Sequence, residues 1–260
     1  MKTKIFTAFF TALITLVSIT QTQAKETTDS IKVINKGIGG NCAINGWSRF
    51  ERDVVSLEPD HLVLYFGIND ACNRNIPLPE YESTMRQMIK RAQEIDVKTI
   101  VLVTPNPIVS EYVYERHPEH RETLPNMQEH LSTFAEAIRE LAKEYNLPLV
   151  DLEKIVNEHG GATTEASSLL RNPANSYSRD GIHLTPEGYE IFAEMVAVQL
   201  QDIVQPGDTI VCLGDSLTYG AHVKGAGTSE GESYPAQLQI LLNAPRNSGD
   251  SALSCKAICE

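Results

Sequence analysis

Five short apolar runs, each separated from the next by longer stretches with helical spacing, constrain this chain more than any other feature. They read Ile31 to Asn35, His61 to Phe66, Lys98 to Thr104, Leu147 to Leu152 and Thr209 to Leu213. Short apolar runs of this length are strands buried on both faces, and their alternation with helices predicts an α/β fold with a parallel sheet and covering helices. Between them, Phe50, Val54 and Leu57 share one helical face, as do Tyr81, Met85, Met88, Ala92 and Ile95, and then Leu131, Phe134, Ile138, Leu141 and Tyr145. A fourth helix is expected after Thr185 as N-cap, with Pro186 at its first position, ending before Pro206, and a short fifth over Tyr234 to Asn243. The Met and aromatic stripes on these helices are core-facing surface. Two polar segments, Pro105 to Pro125 and Gly160 to Ser178, are expected as loops, where specificity commonly resides.

The amino terminus has a different character. MKTK precedes an apolar run from Ile5 to Ile19, then polar residues and Ala24, the layout of a secretory signal peptide over 1–24. The run is about fifteen residues, short of the roughly twenty that cross a bilayer. The expectation is an exported protein, periplasmic or secreted, with one domain over 25–260. With 22 Lys+Arg against 34 Asp+Glu the chain is acidic, and loss of Lys2 and Lys4 with the leader makes it more so. Nucleic acid and anionic membrane surfaces are therefore poor partners, whereas an uncharged ester or a neutral glycan meets little repulsion. Five cysteines in an exported chain leave at least one thiol unpaired. Cys212, inside an apolar run, is the expected free one. Cys42 to Cys72 is an expected bridge, and Cys255 and Cys259 are close enough to pair.

Four segments carry residue types suited to acyl transfer. In Thr209 to Gly220, TIVCLGDSLTYG, a strand runs into Ser216, which needs a base within hydrogen-bond reach to act as a nucleophile. Asp180-Gly181-Ile182-His183 offers one: in a tight turn the carboxylate reaches the imidazole and fixes the tautomer that accepts a serine proton. The turn Asn35-Lys36-Gly37-Ile38-Gly39-Gly40-Asn41 leaves backbone N–H groups unobstructed, and Gly67-Ile68-Asn69-Asp70 supplies a side-chain amide. Taken singly, each segment also fits a plain turn or helix cap. His117 and His120 are metal-binding residue types, but no convincing third ligand is placed nearby, so no metal and no cofactor are expected.

Together the four segments resemble the SGNH, or GDSL, hydrolase family. The resemblance implies a flavodoxin-like three-layer α/β/α sandwich with a five-stranded parallel sheet. It implies a triad of Ser216, His183 and Asp180, and an oxyanion hole of Ser216, Gly40 and Asn69. It implies an ester hydrolase needing no cofactor, with a short-chain or aryl ester favoured, a carbohydrate O-acetyl esterase as the alternative, and a thioesterase, a lysophospholipase or a non-catalytic binding protein behind these. The chain departs from the family in one respect: the serine block comes last rather than first, the order of a circular permutation. The last strand is then expected to slot beside the first, inside the sheet.

Overall fold

A computed structural model describes residues 30–245. In chain order its regular elements begin with β1 (Lys32–Gly37), α1 (Ala43–Ser48), α2 (Phe50–Asp53), β2 (His61–Tyr65), α3 (Leu78–Glu94) and β3 (Thr99–Val103). They continue with α4 (Ser110–Arg116), α5 (His120–Thr123), α6 (Met127–Tyr145), β4 (Leu149–Val150), α7 (Leu152–Glu158) and α8 (Pro173–Ser176). The last are α9 (Pro186–Leu200), β5 (Thr209–Gly214), α10 (Ser216–Tyr219) and α11 (Tyr234–Asn243).

The five strands form one parallel sheet in the order β1-β5-β2-β3-β4. β5, latest in sequence, lies between β1 and β2, pairing Lys32 with Thr209 on one side and His61 with Ile210 on the other. Every residue of β2 and β3, and all of β5 but Thr209, is buried. Burial on both faces explains why these strands read as unbroken apolar runs, and it requires cover above and below. The cover comes from two groups of helices: α1 and α6 each pack on α3, while α9 and α11 pack on one another. β1 is an edge strand, with exposed Lys32 and half-buried Ile34, Asn35 and Lys36. No helix among the described residues is long and apolar enough to cross a membrane.

Several expectations need adjustment. The face shared by Phe50, Val54 and Leu57 is split between α2 and a turn of 3-10 helix over Val55–Leu57, which ends where Glu58 turns left-handed at φ 45°. Pro59 follows and forbids helical backbone at that point. β4 is shorter than its apolar run because the Asp151 side chain accepts the Lys154 N–H at 3.1 Å and starts α7. The Pro105 to Pro125 segment is not a simple loop but holds α4 and α5. The expected Cys42–Cys72 bridge is absent: both cysteines are free and buried, as is Cys212. Their segments do meet, but through Asp70, whose Oδ1 accepts the Ala43 N–H at 2.9 Å. Burial pushes both thiols up to about 12, so neither is poised for exchange chemistry. Cys255 and Cys259, like the leader 1–24, lie outside the described residues.

Candidate active site

Ser216 owes its position to the end of β5. Gly214 pairs with both Gly37 and Tyr65, so three backbones converge there. A Cβ on Gly214 would lie 2.1 Å from Thr218 Oγ1 and 2.6 Å from the Tyr65 carbonyl oxygen, which leaves room only for glycine. Asp215 then caps α10, its Oδ1 accepting the Leu217 N–H at 2.9 Å, and Ser216 becomes the first helical residue. Its side chain stands at the carboxyl edge of the sheet.

The Asp180 turn is also built locally. Asp180 Oδ1 accepts the backbone N–H groups of Ile182 and His183, both at 3.0 Å. Gly181 adopts φ 70° and packs so tightly on Val109 that a Cβ would come within 2.8 Å of the valine side chain. The turn swings the His183 ring over the carboxylate, with Nδ1 at 2.9 Å from Oδ2 and 3.0 Å from Oδ1. On its far side His183 Nε2 lies 2.9 Å from Ser216 Oγ. With the Nδ1–H donating to the carboxylate, Nε2 is left as acceptor for the Ser216 O–H. Burial pushes the Asp180 carboxyl upward, but the His183 ring, its charge and the two backbone N–H groups together hold it at about 2. The carboxylate thus stays charged across the physiological range.

The glycine turn and Asn69 approach the same place. A Cβ on Gly39 would sit 3.9 Å from Ser216 Cβ, and Gly40, at φ 76°, faces open space. Among the described residues the backbone N–H groups of Ser216 and Gly40 donate to no other protein group. The Asn69 amide differs: its Nδ2 donates to the Asn41 carbonyl at 3.0 Å and to Asp215 Oδ2 at 3.1 Å, so both hydrogens are engaged. Asn73 Nδ2 donates to Asn69 Oδ1 at 2.6 Å, which fixes the sense of the amide.

Four side chains near this site gave no signal in the sequence. Arg49, buried, donates from Nη1 to the Lys36 carbonyl at 2.9 Å and from Nη2 to the Gly214 carbonyl at 2.8 Å, joining the ends of β1 and β5 behind Ser216. Asp53 accepts from the same guanidinium at 2.8 Å, and hydrogen bonds from Arg52 and Arg49 outweigh burial to hold it at about 2. His222 stands edge-on to His183, ring centroids 4.9 Å apart, with Nε2 3.8 Å from Asp180 Oδ2. Arg171 Nε approaches the same oxygen at 3.9 Å. Residues 171 and 222 lie far from 180 and 183 in helix or turn register, so no spacing rule reaches them. Another histidine, His61, pairs with Asp208 at 3.0 Å, but at the opposite edge of the sheet where β2 and β5 begin.

The Pro105 to Pro125 segment does not offer its tyrosines as a stacking surface. Tyr112 and Tyr114 are buried, each ring covered by a guanidinium, from Arg179 at 4.4 Å and Arg121 at 4.8 Å. The segment instead braces the Asp180 turn: Arg116 Nη1 donates to the Arg179 and Asp180 carbonyls at 2.9 and 2.8 Å.

A serine, histidine and aspartate joined in this way at the carboxyl edge of a parallel sheet form the hydrogen-bonded chain used to activate a hydroxyl for acyl transfer. The chain belongs to the GDSL-like Lipase/Acylhydrolase family, which matches residues 17–191. That match includes Gly40, Asn69, Asp180 and His183 and stops short of Ser216. Among curated relatives, an acetylxylan esterase of Geobacillus stearothermophilus is 31% identical over 49% of this chain and 57% of its own length. An isoamyl acetate-hydrolyzing esterase of Saccharomyces cerevisiae is 28% identical over 50% of this chain and 51% of its own. The chain thus spans about half the length of the curated relatives it matches. A solved lipase/acylhydrolase from Enterococcus faecalis aligns with a TM-score of 0.49 and 23% identity, over 64% of this chain and 74% of that one.

Proposed function

We propose that the protein hydrolyses carboxylic esters of short acyl groups, with Ser216 as nucleophile, His183 as base and Asp180 as the acid that orients it. The observation that carries this reading is the continuous chain from Ser216 Oγ to His183 Nε2 at 2.9 Å and from His183 Nδ1 to Asp180 Oδ2 at 2.9 Å. Ser216 Oγ attacks the ester carbonyl as His183 Nε2 takes its proton. The tetrahedral intermediate collapses, and the alcohol leaves with the proton from His183. Water then attacks the acyl-serine, giving its proton to His183, and the carboxylic acid departs as Ser216 is reprotonated.

The oxyanion falls to the unengaged N–H groups of Ser216 and Gly40, with Asn69 as third donor. To serve, the Asn69 amide has to loosen its bond to Asp215 or to Asn41. Each such donor contributes about 2.7–4 kcal/mol to the transition state.

Two relatives are named for acetyl esters with very different alcohols, xylan and isoamyl alcohol. This supports a small acyl pocket and leaves the alcohol side open, so acetylated glycan is the second reading. Family membership of a segment that stops before Ser216, and the place of β5 between β1 and β2, both support a circularly permuted order. The Ile5 to Ile19 run supports export of the mature chain.

The test is hydrolysis of p-nitrophenyl acetate, butyrate, octanoate and palmitate, and release of acetate from acetylated xylan, by the protein and its Ser216→Ala variant. Turnover should fall with acyl length and drop about a thousandfold or more in the variant, with thermal unfolding unchanged. Undiminished turnover in Ser216→Ala would remove the serine from the mechanism. Acetate release from xylan with silence toward the simple esters would select the glycan reading.

A further inference from the structure

Between α4 and α5 the chain gathers three ligand-type side chains outside the proposed catalytic chain. His117 closes α4, Glu119 precedes α5 and His120 opens it. One ligand atom from each lies within 4.8 Å of the others. His117 Nδ1 is 3.6 Å from Glu119 Oε1, and the two imidazole rings are stacked with centroids 5.2 Å apart. His120 Nε2 is shielded from solvent and has no hydrogen-bond partner. A buried polar atom left in that state is costly, and a coordinated cation relieves the cost.

Two neutral imidazoles and a carboxylate are the donor set of Zn²⁺ and its neighbours among the divalent transition metals rather than of Ca²⁺ or Mg²⁺. Metal–ligand bonds of about 2.0–2.2 Å bring donor atoms to roughly 3.5 Å from one another, so the site closes by a shift of about an ångström in the His117 and Glu119 side chains, which reach solvent. The adjacent arginines are already committed. Arg121 is bonded to Glu111 and lies over Tyr114, while Arg116 is bonded to backbone carbonyls. The other three-residue cluster, Asp180, His183 and His222, is less suited to a cation, because the Arg171 guanidinium stands 3.9 Å from the Asp180 oxygen that would be a ligand.

We propose that His117, Glu119 and His120 bind one divalent transition-metal ion of the zinc class, with water completing its coordination. The ion clips α4 to α5. α4 also carries Arg116, which holds the Arg179 and Asp180 carbonyls, and Glu115, which pairs with Arg179. The clip therefore stiffens the brace behind the Asp180 turn.

The experiment uses the whole protein stripped by a chelator. Zinc is titrated in competition with a chromophoric chelator, and thermal unfolding is followed with and without zinc. One zinc per chain and a raised midpoint are expected. The His117→Ala/His120→Ala variant should bind at least about tenfold more weakly and lose the rise, and Glu119→Gln should weaken binding to a smaller degree. His222→Ala should bind as the parent does. Absence of zinc binding by the folded parent, binding indifferent to both variants, or binding lost in His222→Ala would each overturn the proposal. If the double variant does not fold, by far-UV circular dichroism, Glu119→Gln decides.

Discussion

Asp70 and Asp215 are carboxyls that the fold buries near one another at the carboxyl edge of the sheet. Burial is the main cause that lifts Asp70 to about 7, with the Asp215 charge adding to it against the hydrogen bond from Ala43 N–H. Burial lifts Asp215 to about 6. An acid raised in the folded state binds more protons there than in the unfolded chain, so folding stability declines as pH climbs from about 4, the ordinary aspartate value, through about 7. Asp70→Asn keeps an oxygen for the Ala43 N–H and removes one of the two titrations. Its unfolding midpoint should fall less steeply between those pH values than the parent's, and an equal slope would show that Asp70 does not titrate there. Gly214 makes the complementary point about space. Gly214→Ala forces a methyl toward Thr218 Oγ1 at 2.1 Å and the Tyr65 carbonyl at 2.6 Å. A loss of about 1–3 kcal/mol in urea unfolding is expected, with activity falling further as Ser216 shifts.

At the scale of elements, α9 shows what local signals carry. Thr185 Oγ1 accepts the Gly188 N–H at 3.1 Å, and Pro186 occupies the first helical position, as the sequence predicts. Thr185→Ala should cost about 1 kcal/mol, read as a lower denaturation midpoint at unchanged cooperativity. The loss should carry into turnover, because His183 lies two residues before the cap. The helices α4 and α5 were not legible in the same way. The buried residues of α4, Tyr112, Val113 and Tyr114, are consecutive rather than spaced at three and four, and α5 buries none, so no helical stripe appears. What fixes this segment is contact with distant parts of the chain, such as Arg116 on the Asp180 carbonyl and Arg179 on the Tyr112 ring. The Cys42–Cys72 expectation failed for a related reason. The two segments do meet, as a bridge would require, but which side chains fill the junction is decided by Asp70 reaching the Ala43 N–H.

For the molecule as a whole, the decisive fact is that the strand carrying Gly214 is last in sequence and interior in the sheet. Chain cut before Thr209 loses the strand that pairs with both β1 and β2, along with buried Ile210, Val211, Cys212 and Leu213. Such a truncated chain should show no cooperative unfolding transition by circular dichroism, and a native-like transition would mean that β1 and β2 can close without β5. The sequence by itself determined the five strands and the long helices α3, α6 and α9, and it determined the Asp180–His183 pair, since these follow from contacts over a few residues. Only the tertiary structure decided that His183 meets Ser216, 33 residues away, and that the Asn69 amide is held by Asp215, 146 residues away. It alone brought His222 beside Asp180 and left Cys42 and Cys72 as thiols. The reason is physical: backbone hydrogen bonding and side-chain periodicity are written locally along the chain, whereas the fit of one side chain against another across the sheet edge depends on how all five strands are stacked.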